Sequence, residues 1–340
     1  MTPHRPSRRR VLAGLGAAPA ASPAPAFAAA VGLQAAVDYA QSQRTTGLLI
    51  VQGGKILAEH NWPAPAGDGP FRAFAYERTP DGALLEDVAS QQKSFVAMLA
   101  AIAVDRGLID VEAPVSEYVG AGWSKAASRQ EQAIRIVHLL NMNSGLDDKL
   151  AHAAPAGTVF HYNTPAYAVI KQVLAAAAKQ TLETITSDWL TAPAGMGETA
   201  WRRRPAAFAD VGNPTGLVTS PRDVARFGQI VLDRGRAPDG QRVVSEAQLD
   251  AMFARSPTNP AYGRLWWLNG GAHGVRPMGQ RFEGPLTPAA PADMVAALGH
   301  LDRKLYVAPS LRLVVVRMGD AAADRDFDQQ LWRRLSPALA

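Results

Sequence analysis

The chain has 340 residues, with 47% apolar and 19% charged side chains and no cysteine. That length supports one large domain or two interlocked ones, and the lack of thiols excludes a cysteine nucleophile, disulfides and cysteine-bound metal. The formal charge of +5 sits mostly at the N-terminus, where residues 1–28 carry Arg5, Arg8, Arg9 and Arg10 and no acid. The remainder of the chain is close to neutral, a poor case for nucleic acid or an anionic membrane as partner.

The first 30 residues read as a targeting signal. Ser7-Arg8-Arg9-Arg10-Val11-Leu12 looks like a twin-arginine export motif, and Ala26-Phe27-Ala28 is a small-residue cleavage candidate. The expected destination is the periplasm or the exterior. No apolar run of about 18 residues lies beyond this region, so no membrane span is expected after signal removal.

Gly47 to His60 reads as a β-hairpin, two apolar runs around Gly53-Gly54, which can supply the positive φ angles of a tight turn. Residues 62–82, rich in Pro, Gly and Asp, form a connection with one strand expected near Phe71 to Tyr76. A helix apolar nearly all round begins about Ser90 and runs to Arg106, with Gly107 as its C-terminal cap. Segments 131–141, 165–179 and 182–190 have helical periodicity. Ser220-Pro221-Arg222-Asp223 opens another helix, with a Ser cap, Pro in the first helical position and an acid in the first turn. Arg303 to Ala308 and Arg312 to Met318 are β-rich runs, and 325–335 suits a closing helix.

The order is strands, helices, strands. It predicts an antiparallel sheet built from both chain ends and flanked by helices, an α/β lobe of residues 31–89 and 205–340, with residues 90–204 inserted as an all-α lobe. The cleft between lobes is the natural place for a site.

Ser90-Gln91-Gln92-Lys93 is the only S-x-x-K in the chain. One helical turn carries both side chains on the same face, placing an ammonium beside a hydroxyl, which is what an alcohol needs to become a nucleophile. His138 to Leu146 follows, then Gly157 to Thr164 with Tyr162, then Gly216 to Gly228, and finally Leu298-Gly299-His300 ahead of Lys304 to Pro309. In order and spacing these resemble the serine β-lactamase and penicillin-binding-protein superfamily, in its class C β-lactamase-like branch of esterases and amide hydrolases. The resemblance spans about residues 45–320.

That resemblance implies the β-lactamase/transpeptidase-like fold and an exported serine hydrolase that forms an acyl-enzyme on Ser90. Lys93 would take the proton or stabilise the alkoxide, and Tyr162 would shuttle a proton to the leaving group; Tyr167 is the competing tyrosine. The N–H of Ser90 and one from the strand near Ala297 would form the oxyanion hole, with Gly299, His300 and Thr164 on the cleft. Two departures matter. The tyrosine motif reads Tyr162-Asn163-Thr164 where β-lactamases have Tyr-x-Asn, and Met294-Val295-Ala296 aligns with their Lys-Thr-Gly, leaving no cation there unless Arg303 or Lys304 replaces it. Small esters or amides without an obligatory anionic group are therefore expected, rather than efficient β-lactam hydrolysis. The alternatives are a penicillin-binding or sensor-type protein with slow or no turnover, and a D-amino peptidase or β-lactamase. No cofactor or metal is expected. The chain has no H-E-x-x-H, and no G-x-S-x-G for an α/β-hydrolase elbow.

Overall fold

The computed structural model describes residues 1, 24–67, 69–206 and 212–339. The arginine-rich segment Ser7 to Leu12, expected to direct export, lies outside the described residues. The first helix, Ala24–Ser42, begins ahead of the cleavage candidate Ala26-Phe27-Ala28 and includes it.

The 47–60 hairpin forms as expected: β1 (Thr45–Gln52) pairs with β2 (Lys55–Asn61), and Gly53 and Gly54 take φ of 56° and 79°. Two positive φ angles in a two-residue turn match the right-handed twist of the flanking strands. The sheet is completed from the other end of the chain by β10 (Val295–Gly299), β11 (Arg303–Ala308) and β12 (Leu313–Gly319), with the short β7 (Trp267–Leu268) at the far edge. Its order is β2-β1-β12-β11-β10-β7, antiparallel throughout. The central β11 and β12 are buried along their whole length, which explains the apolar runs Leu305 to Ala308 and Leu313 to Val316. Helices Ala24–Ser42 and Phe327–Leu335 pack against each other, and Pro221–Leu232 packs on β1, β11 and β12. Gly228 permits that approach, since a Cβ there would stand 2.8 Å from Leu305 Cδ1 and Val314 Cγ1.

A second sheet is formed by β3 (Ala75–Arg78), β4 (Leu84–Asp87), β5 (Ala200–Arg203) and β6 (Thr215–Thr219), in the order β3-β4-β6-β5. A small hairpin of β8 (His273–Val275) and β9 (Arg281–Glu283) forms a third. The strand expected near Phe71 is partly displaced, because Pro70–Phe74 forms a 3-10 turn whose proline fits the first helical position and β3 starts only at Ala75. β5 falls inside the stretch read as purely helical; four residues are too few to carry a clear period against the helices before them. Segment 131–141 splits into Ser128–Gln132 and Ile136–Leu140, and Leu182–Thr186 passes into a π-turn over Ser187–Thr191. Among the described residues no helix is long and apolar enough to cross a membrane.

Candidate active site

β4 ends at Asp87, and its exit delivers Ser90. Ala89–Gln91 forms a 3-10 turn that runs directly into the helix Gln92–Asp105. Ala89 sits at φ 51°, the left-handed region that a residue with a Cβ enters only under strain. Two contacts hold it there: its N–H donates to Asp87 Oδ1 at 2.8 Å, and its carbonyl accepts from Gln92 Nε2 at 2.9 Å. Asp87 is itself clamped by Arg204, Nε to Oδ2 at 2.6 Å and Nη2 to Oδ1 at 2.9 Å, with both side chains buried. Gly216 on β6 leaves room for that carboxylate, since a Cβ would lie 1.9 Å from Asp87 Oδ2.

The structure brings Ser90, Lys93, Thr164 and Tyr162 together. Lys93 Nζ lies 3.0 Å from Ser90 Oγ and 3.3 Å from Thr164 Oγ1. It stands over two phenol rings, 4.9 Å from the centroid of Tyr162 and 4.8 Å from that of Tyr167. Burial, and then the charge of Arg204, pull its pKa from the ordinary lysine value down to about 7, so a large share of the amine is free base near neutrality. Burial pushes Tyr162 up to about 12, against a smaller opposite effect of its hydrogen bond with Ser90. Tyr162 is held in place by stacking on Trp267 at 6.1 Å and by edge contact with Tyr262 at 6.3 Å. Tyr167 is deeper and fully buried, donating its hydroxyl to Gln92 Oε1 at 3.3 Å. Of the two tyrosines, Tyr162 is the one that interacts with Ser90.

Asn163 caps the helix Thr164–Ala178, accepting from Ala166 N and donating to the carbonyls of Leu146 and Asp147. Thr164 then presents its hydroxyl to Lys93.

A cavity of about 300 Å³ opens on Ser90, Lys93 and Thr164, with Phe74, Ala89, Arg204, Asn213 and His300 completing its lining; Tyr162 stands outside that lining, its ring facing Lys93 Nζ. His300 is exposed at the cavity rim, tilted against Phe74 with ring centroids 5.9 Å apart; partial desolvation, followed by Arg303, lowers its pKa and favours the neutral ring. Ala297, expected at the oxyanion hole, is not part of this lining: it lies mid-strand, fully buried and paired with Leu305. The strand reaches the cavity only at its end. Gly299 abuts Val88, where a Cβ would stand 2.3 Å from the carbonyl oxygen, and His300 follows. The turn after it puts Leu301 and Asp302 at φ of 60° and 57°; Arg303 donates to His300 O at 3.0 Å, and Arg317 to Leu301 O at 2.9 Å and Asp302 O at 3.1 Å.

Neither cation considered as a replacement for the missing lysine is free. Arg303 is completely buried and paired with Glu86 at 2.7 Å, while Lys304 pairs with Asp302 and Asp328, each at 3.1 Å. Arg204 reaches the cavity with its charge matched by Asp87. A larger groove of about 550 Å³ between Glu183 and Trp201 lies away from Ser90 and Lys93. His161 pairs with Asp148 near the surface at 3.1 Å, Trp266 is core, and among the described residues no cluster of His, Asp and Glu could hold a metal ion.

The family model "Beta-lactamase" matches residues 29–332. The chain belongs to the Beta-lactamase family. Solved structures agree at the level of fold. A beta-lactamase/D-alanine carboxypeptidase from Yersinia pestis superimposes with a TM-score of 0.64 at 15% identity, covering 92% of this chain and 99% of that one. EstCE1, a hydrolase with promiscuous acyltransferase activity, gives 0.65 at 14% identity, with 92% and 100% covered. A beta-lactamase from Mycobacterium bovis gives 0.62 at 17% identity, with 90% and 96% covered. No curated sequence matches the chain. The beta-lactamase/transpeptidase-like fold expected from the motifs is the fold observed.

Against that family frame, sequence reasoning missed Asp87, Arg204, Asn213, Gln92 and Lys171. Lys171 had a signal. Thr164, Tyr167 and Lys171 share one helical face (i, i+3, i+7), and a lysine there interrupts an otherwise apolar stripe. Arg204 had none, because nothing in the run Arg202-Arg203-Arg204 tells which arginine turns inward.

Proposed function

We propose that this protein is an exported serine hydrolase that cleaves small, uncharged esters or amides through an acyl-enzyme on Ser90. The observation that carries the proposal is the 3.0 Å contact between Lys93 Nζ and Ser90 Oγ at the edge of an open cavity. An aliphatic hydroxyl is almost fully protonated at neutral pH, so attack requires a base in contact with it. Lys93, with its pKa near 7, supplies one. Ser90 Oγ adds to the substrate carbonyl carbon as its proton passes to Lys93. The tetrahedral oxyanion is met by the Ser90 N–H at the positive end of the following helix. Collapse expels the alcohol or amine, which takes a proton from the Tyr162 hydroxyl, and Lys93 restores that proton. Water then repeats the sequence on the acyl carbonyl and frees Ser90.

The substrate class follows from charge. Among the described residues that line the cavity, Arg204 is internally paired, and Lys93 and His300 are held toward their neutral forms. A substrate carboxylate would find no unpaired cation among those lining residues, which favours neutral acyl groups beside Phe74 over β-lactams. A hydrolase with promiscuous acyltransferase activity and a D-alanine carboxypeptidase among proteins of this fold are consistent with acyl transfer to Ser90. The arginine motif near the N-terminus supports export to the periplasm or beyond. The test is a panel of p-nitrophenyl esters beside a chromogenic cephalosporin. Sustained ester turnover with weak cephalosporin hydrolysis is expected; release of a single equivalent from every ester would instead indicate a slow acyl-binding protein.

A further inference from the structure

A second buried amine stands behind Lys93. Lys171, on the helix Thr164–Ala178, is 8% exposed and points inward. Its Nζ contacts Gln92 Oε1 at 2.8 Å, Asn213 Oδ1 at 2.7 Å, and the carbonyl and hydroxyl oxygens of Thr215, both at 3.1 Å. It also sits 4.3 Å from the centroid of Trp201. We propose that Lys171 is a positioning residue which keeps its proton so that Lys93 gives up its own, and which fixes the Ser90 turn through Gln92.

The hydrogen-bond partners decide between the two amines. Two like charges in a poorly solvated region oppose one another, so one amine is favoured as the cation. The groups facing Lys171 are Arg204 and Lys93, which disfavour its charge, and Asp87 and Glu183, which favour it. Those facing Lys93 are Arg204 and the rings of Tyr162 and Tyr167. Burial and these charges alone would deprotonate Lys171 first, near 6, before Lys93 near 7. The contacts reverse that order. Three of the oxygens around Lys171 are carbonyl or amide oxygens that can only accept, and they match the three N–H bonds of an ammonium. A neutral amine could donate to only two of them, leaving the third without a hydrogen even when the Thr215 hydroxyl donates to its lone pair. Lys93 contacts two hydroxyls, Ser90 and Thr164, which can donate to a free amine. The charge therefore belongs on Lys171.

The mechanical link is as direct. Gln92 accepts from Lys171 through Oε1 and donates through Nε2 to Ala89 O, which fixes its amide orientation and ties Lys171 to the strained residue ahead of Ser90.

This inference rests on the Ser90–Lys93 reading above, and the experiment separates the two. The rate at which a fluorophosphonate labels Ser90 is measured from pH 5 to 10 in the full chain and in Lys171→Gln and Lys171→Arg. In the unmodified chain, labelling should rise through pH 7 as Lys93 loses its proton. Lys171→Gln removes the repelling charge, so the rise should move up by about one pH unit, lowering the rate at pH 6.5 roughly tenfold beyond any loss on the alkaline plateau. Lys171→Arg keeps the charge and should leave the midpoint in place. A uniform loss at every pH in Lys171→Gln would show a structural role only and overturn the proposal. Should Lys171→Gln fail to fold, an upward-shifted midpoint in Lys171→Arg overturns it and an unmoved one supports it. Absence of Ser90 labelling in the unmodified chain would remove the hydrolase reading, and this inference with it.

Discussion

Asp87 and Arg204 form a buried two-point ion pair beside the Ser90 cavity, and the same carboxylate accepts the N–H of Ala89. The pair thus holds a strained residue one position before the nucleophile candidate. Leaving such a carboxylate without its partner is far more damaging than never having buried it, because the charge has no solvent to turn to.

Arg204→Met should therefore destabilise the protein by about 3–5 kcal/mol and loosen the Ala89 turn. The double variant Asp87→Leu with Arg204→Met should recover part of the stability but not the activity. Urea unfolding alongside ester turnover checks both; full recovery of activity in the double variant would show that Asp87 does not position Ser90.

Lys93 acts as a base only when unprotonated, and its pKa is depressed to about 7. On that account kcat/KM should fall about tenfold per pH unit below 7 and level off above it. Tyr162, raised to about 12, should add no alkaline limb below pH 10. Lys93→Met should lose on the order of 100- to 10,000-fold in kcat, judged from steady-state rates at pH 8.

The two tyrosines make different contacts and should fail differently. Tyr162→Phe removes the hydroxyl that interacts with Ser90 and should lower kcat at least 100-fold with little change in thermal stability. Tyr167→Phe removes a buried hydrogen bond to Gln92 and should cost about 1 kcal/mol of stability with a smaller kinetic effect. Parallel melting curves and rates decide the ranking.

Gly216→Ala should displace Asp87, because no Cβ fits 1.9 Å from its carboxylate oxygen. The expected result is a folded protein with reduced kcat or a markedly lower melting temperature. Wild-type behaviour in both would show that the second sheet does not fix the nucleophile turn.

Much of this site was legible in the sequence, for reasons that differ by residue. Ser90 lies in the 3-10 turn that runs without a break into the helix carrying Lys93, three residues on, so local geometry brings them together. Thr164 is reached through the start of a helix whose cap, Asn163, has an evident sequence signature. Ala297 was misplaced because a strand's period says which faces it presents but not which of its residues reaches the cavity. Asp87, Arg204 and Asn213 come from separate strands and loops, and only the β4–β6–β5 pairing joins them. The central sheet was readable from the apolar runs of β11 and β12. β10 was expected only through the family resemblance, and the short β5 and β7 not at all, since two to four residues carry almost no period and depend on their neighbours for pairing.

The central claim is that Ser90 is made reactive by the amine beside it. Incubating the protein with a fluorophosphonate or an activated ester and mapping the adduct by mass spectrometry tests this most directly. The account predicts one adduct per chain, on the peptide carrying Ser90, lost in Ser90→Ala and strongly slowed in Lys93→Met. Labelling at another serine, or ester turnover that survives in Ser90→Ala, would contradict it.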